Sequence, residues 1–113
     1  SIDLKKEVVR LCLHNDESSQ LMSMMILVRD HFIYPAHRHI WKDECYTVIK
    51  GSMKYNDLNK NGEILNSKIV KEGDTILNIE KGFHNIIPLS KVLCFIETTI
   101  GPFTNRPIEF LNI

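Results

Sequence analysis

The apolar residues of this chain come in short runs broken by turn signals, a pattern that leaves little room for long helices. Residues 21–28 (Leu-Met-Ser-Met-Met-Ile-Leu-Val) form one run, and Cys45 to Lys50 another, ended by Gly51. Residues 64–70, Thr75 to Ile79, His84 to Leu89 and Val92 to Ile100 continue the series. Asn59-Lys60-Asn61-Gly62 carries the Asn-Gly signal of a tight hairpin. Gly73-Asp74 and Lys81-Gly82 each supply a glycine tolerant of positive φ. Short strands at such spacing predict an all-β sandwich or barrel rather than βαβ units. Residues 3–12 stand apart. Leu4, Val8 and Leu11 fall near a 3.6-residue period, which reads as a short N-terminal helix, while Val8 to Leu13 reads equally as an edge strand.

At 113 residues, 1–113 reads as a single domain, and a domain of this size buries roughly two-thirds of its unfolded surface. Fourteen basic residues balance 14 acidic ones, so no global field draws the chain to nucleic acid or to an anionic membrane. Cys12, Cys45 and Cys94 are odd in number and widely spaced. That reads as neither a disulfide framework nor a zinc knuckle, and reduced thiols in a cytoplasmic protein are the simpler account. No apolar run approaches the roughly 20 residues that cross a bilayer. Ser1 to Lys6 lacks the apolar stretch of a signal peptide. The expectation is a cytoplasmic protein with no membrane partner.

The chemistry concentrates in four residues. His37-Arg38-His39 sets two imidazoles at i and i+2, which on a β-strand project from one face and can reach one ion. Glu44 adds a carboxylate five residues later, and His84 opens a later strand after Lys81-Gly82-Phe83. Three imidazoles and a carboxylate suit one divalent ion such as Fe, Mn, Ni, Co or Zn. Such a set leaves coordination positions open for water or substrate. By the same alternation Arg38 and Cys45 turn to the opposite faces of their strands.

These intervals carry a resemblance. His37-x-His39-x4-Glu44-x6-Gly51 is similar to the latter part of the first cupin motif, and Gly73-x10-His84 follows as in the second. His31 stands where the first motif usually begins with Gly, Ile79 and Lys81 replace the usual Pro and Gly, and Pro88 takes the place of the trailing Asn. The resemblance implies a double-stranded β-helix, a jelly-roll barrel with its metal-binding core at about residues 20–100 and the ion near the mouth. A narrower resemblance rests on Leu13-His14, Gln20, Tyr34-Pro35-x-His37-Arg38-His39, Phe95-Ile96-Glu97 and Gly101-Pro102-Phe103. These look like the WbuC-type small cupins of O-antigen and other surface-polysaccharide gene clusters. That resemblance implies a homodimer and a sugar or sugar-nucleotide substrate.

Other candidates surround the four ligands. His14 is a candidate acid or base, because a proton carrier near neutral pH is what sugar isomerisation needs. Glu97, a charge amid Phe95 and Ile96, reads as a substrate-contacting acid if it faces inward and as an exposed edge residue if it does not. Gln20, Tyr34 and Tyr46 read as polar pocket lining, and Met22, Met24 and Met25 as core packing. Three functions fit: a metal-dependent sugar isomerase or epimerase, an Fe(II)-dependent dioxygenase, and a metal-bearing binding module without turnover.

Overall fold

The computed structural model describes residues 8–30, 32, 35–38, 43–78, 82–101 and 108–111. Ten strands follow one another: β1 (Val8–Cys12), β2 (Leu21–Arg29), β3 (His37–Arg38), β4 (Glu44–Lys50), β5 (Ser52–Leu58), β6 (Ile64–Lys71), β7 (Thr75–Asn78), β8 (Phe83–Pro88), β9 (Val92–Ile100) and β10 (Glu109–Phe110). No helix occurs among the described residues, so none of them forms a helix long and apolar enough to cross a membrane. Val8–Cys12 is the edge strand, not the C-terminal half of a helix. Its pairing with β2, five residues in antiparallel register from Val8↔Val28 to Cys12↔Met24, gives the backbone groups partners that outweigh a weak helical period.

Two antiparallel five-stranded sheets result, ordered β1-β2-β9-β4-β7 and β10-β3-β8-β5-β6. From β2 onward the chain passes repeatedly from one sheet to the other, so sequence neighbours often lie in opposite layers. Alternation then sorts the side chains. Met22, Ile26 and Val28 of β2, Tyr46 and Val48 of β4, and Leu93 and Phe95 of β9 turn inward from the first sheet. Met53 and Tyr55 meet them from β5 of the second sheet, and both are essentially without exposed surface. The sequence signal for this strand is weak, because Asp57 follows Met53 and Tyr55 on the inward face and cuts the apolar alternation short.

Turns account for the strand ends. The Asn59–Gly62 hairpin forms as expected, with Gly62 at φ 83° and the Asn59 side chain accepting from the Asn61 and Glu63 amides. Gly82, by contrast, does not use positive φ. Gly51 (φ 84°) and Gly73 (φ 85°) do, in different surroundings. A Cβ on Gly51 would lie 2.5 Å from the Val92 carbonyl oxygen and against Ser90 Oγ, whereas one on Gly73 meets nothing within 4 Å. Gly73→Ala should therefore cost only the left-handed backbone preference, about 1–2 kcal/mol. Gly51→Ala should cost clearly more, because a backbone oxygen cannot easily yield. Urea unfolding of the two variants measures the difference, and equal losses would contradict the close approach.

Candidate functional site

Antiparallel pairing of β3 with β8 sets His37 directly opposite His84. Their ring centroids lie 4.5 Å apart. Glu44 reaches them from the other sheet. It opens β4 between Asn78 of β7 and Thr99 of β9 in register, and only 3% of its surface is exposed. Its Oε2 lies 3.6 Å from His84 Nε2 and accepts a hydrogen bond from the Tyr46 hydroxyl. The same hydroxyl is 3.1 Å from His84 Nε2, so Tyr46 bridges carboxylate and imidazole.

His84 is held on every side. Tyr55 stacks on its ring at 5.7 Å with planes 14° apart. Its Nδ1 faces the Gly82 carbonyl at 3.3 Å and the Asn78 amide. The Asn78 amide nitrogen donates and the Gly82 carbonyl accepts, so the two contacts fix the orientation of the ring rather than its tautomer, with Nε2 toward Glu44. His37 repeats the device, with Nδ1 3.0 Å from the Pro35 carbonyl. Such contacts at the far nitrogen are how proteins orient histidines whose other nitrogen binds a metal.

Strands of both sheets thus set His84 beside His37 on one side and Glu44 on the other, and imidazole and carboxylate are donors that suit a borderline divalent ion. Among the described residues, no three His, Cys, Asp or Glu side chains form a group that could hold an ion by themselves. His39, the expected fourth ligand, and Tyr34 lie outside the described residues.

Beside this cluster opens a cavity of about 210 Å³. Val8, Met24, Ile26, Phe32, Ile86 and Phe95 are among its apolar walls, while Arg10, His37, Glu44, Tyr46 and Glu97 supply its polar groups. Glu97 therefore faces inward, following Phe95 on the same side of β9. Tyr46 lines the cavity. His14 and Gln20 are not among the lining residues. His14 sits after β1, its Nδ1 3.0 Å from the Ser23 carbonyl and 3.2 Å from the Ser23 amide, and exposed Gln20 accepts the Gly101 amide through its backbone at 2.6 Å. Arg38 points away as expected, donating to Glu109 at 2.9 Å and lying 4.7 Å over the Phe83 ring. Sequence reasoning passed over Arg10 and Asn78. Strand alternation carried a signal for both, since Arg10 shares a face with Val8 and Asn78 with Ile76.

Burial pushes the Tyr46 phenol well above its ordinary value, helped by the nearby Glu44 and Glu97 charges, so it stays a neutral donor. Burial raises Tyr55 as well, with Asp57 and Glu44 adding to the effect.

No protein-family profile matches the chain, and no curated protein sequence does. Solved structures do match. The cupin domain of an XRE family transcriptional regulator from Enterobacter cloacae aligns with TM-score 0.68 and 16% identity over 87% of this chain and 100% of its own. The Schizosaccharomyces pombe Cnp3 cupin domain gives 0.71 and 10% over 88% and 69%. An oxalate oxidase gives 0.66 and 18% over 81% and 46%. The chain also spans 52% of the length of an HTH_3 family transcriptional regulator from Vibrio cholerae. At such identities the likeness shows the fold: this is a cupin-type jelly roll.

Raised tyrosines set the sign of one pH effect. The folded state keeps the Tyr55 proton that the unfolded chain releases near pH 10. Its contribution is complete below that pH and is lost as pH rises toward the folded-state value, at up to about 1.4 kcal/mol per unit. Tyr55→Phe should flatten the fall of unfolding free energy above about pH 10. Parallel curves for the variant and the parent protein would refute the assignment.

Proposed function

We propose that this chain is a metal-dependent enzyme acting on a small molecule bound in the cavity, with His37, His39, Glu44 and His84 as the ligands of one divalent ion. The observation that carries this reading is His84, fully buried, oriented at Nδ1 by Gly82 and Asn78, with Nε2 toward Glu44 and the ring beside His37. When bound, such an ion supplies Lewis acidity for a carbonyl or for adjacent hydroxyls.

The chain's own groups supply the rest. Glu97 lines the cavity and is positioned to take or return a proton at a bound substrate. Tyr46, kept neutral by burial, donates to Glu44 and fixes its orientation. The apolar walls exclude water from the reacting end. The resemblance to the small cupins of surface-polysaccharide gene clusters points to isomerisation or epimerisation of a sugar in a cytoplasmic route, with Glu97 as the group that would move the proton. The cavity admits one ring; a nucleotide would lie outside it, because 210 Å³ falls below the roughly 300–1,000 Å³ of sites that enclose larger ligands. Exchange of a ring hydrogen with D2O, followed by NMR across candidate sugars, tests the reaction. Substrate-dependent oxygen uptake with Fe(II) would replace it with the dioxygenase reading, and binding without exchange with the binding module.

Metal content tests the site directly. His37→Ala and His84→Ala should each remove stoichiometric metal while the β fold persists by circular dichroism. A double variant with full occupancy would sink the ligand assignment. Asn78→Ala, which leaves all four ligands in place, should weaken retention by about 10–100-fold in a chelator competition.

A homodimer is part of the same proposal. The outer face of the first sheet carries exposed Leu11, Leu21, Leu77 and Ile100 beside half-buried Met25 and Ile96. An apolar face of that extent favours a self-complementary partner. Sedimentation should give a dimer, and Leu77→Glu with Ile100→Glu should shift it to monomer without loss of fold. A monomeric parent protein at micromolar concentration would end this part of the proposal.

A further inference from the structure

Arg10 lies on the inward side of edge strand β1 and lines the cavity, yet it is exposed, which sets it at the rim. Its guanidinium makes no hydrogen bond or ion pair among the described residues. At the inner end the cavity reaches Glu44 and His37, and apolar side chains from β1, β2, β8 and β9 wall the space between. Among the described lining residues Arg10 is the permanent cation, against the carboxylates Glu44 and Glu97.

We propose that the cavity takes a compact organic monocarboxylate, its carboxylate gripped by Arg10 at the rim and its apolar body against the walls. The inference rests on the proposed function for the reacting end, which points to His37 and Glu44, and departs from it in taking a carboxylate with an apolar body where the family resemblance implies a sugar. A planar guanidinium matches a carboxylate with two parallel hydrogen bonds, and the neighbouring apolar surface strengthens such a pair by limiting water. Phosphate shares the chemistry, but a planar carboxylate matches the single guanidinium at the rim in two parallel hydrogen bonds, and the phenyl phosphate arm of the test separates the two. Volume sets the size: 210 Å³ suits a single ring or a short branched chain. Arg10 could instead lay its stem over Ile26 and leave its charge in water, and that role predicts no preference among charged and neutral ligands.

Calorimetric titration with phenylacetate, phenylacetamide and phenyl phosphate separates these cases. The parent protein should bind the acid at least about tenfold more tightly than the amide. Arg10→Gln should abolish that preference while leaving amide affinity and thermal midpoint unchanged, and Arg10→Lys should restore part of it. Equal affinities for acid and amide overturn the proposal, as do a preference that survives Arg10→Gln, tighter binding of phenyl phosphate, or no binding of the acid at millimolar concentration. Metal content is read on the same samples. Metal retained without acid preference defeats this inference alone, whereas acid preference in a protein that binds no metal upholds it and defeats the metal-dependent function.

Discussion

A carboxylate buried inside an apolar barrel is the element around which the rest is arranged. Glu44 sits 97% withdrawn from solvent, the complement of its 3% exposure, and an ionised group in such a place is costly unless hydrogen bonds and countercharge answer it. The Tyr46 hydroxyl donates to it in this structure, the His84 ring lies beside it, and Asn78 and Thr99 flank it in register. Neither strand partner could be moved by one residue without turning these side chains to the opposite face. The chemistry of the site and the register of the sheets are thus one constraint.

That constraint extends outward in layers. Tyr55 packs flat on His84 and belongs to the same core as Met53, Val48 and Leu93. The histidine is therefore held by the hydrophobic core itself, so packing energy is converted into ligand orientation. Beyond it the cavity changes character. Polar groups cluster at the inner end and at the rim, and hydrocarbon lies between. Such a space discriminates by shape in the middle and by charge at its ends.

Much of the fold was legible because side-chain period and turn chemistry are local. The runs at 21–28, 45–50 and 92–100 became strands within a residue or so, and the Asn-Gly hairpin formed where its residues call for one. Local rules failed where neighbours far along the chain decide. Ser52–Leu58 is a central strand despite Lys54 and Asp57, because β6 and β8 pair with both its edges. Val8–Cys12 is a strand because β2 offers its edge. His14 is engaged with the Ser23 backbone and is not among the described residues that line the cavity.

The sequence by itself determined the alternation that turns Glu44, Tyr46 and His84 inward, and the intervals that mark them as candidate ligands. These follow from a two-residue period that needs no partner strand. Only the tertiary structure decided which of these groups meet. It set His37 against His84, slid Tyr46 between Glu44 and His84, backed His84 with Asn78, and hung Arg10 over the rim. His37, Glu44 and Tyr46 reach His84 from other strands, Tyr46 from 38 residues along the chain, and Asn78, six residues away, reaches it from the other sheet. Their contacts exist only once the hydrogen-bond register between strands has been fixed.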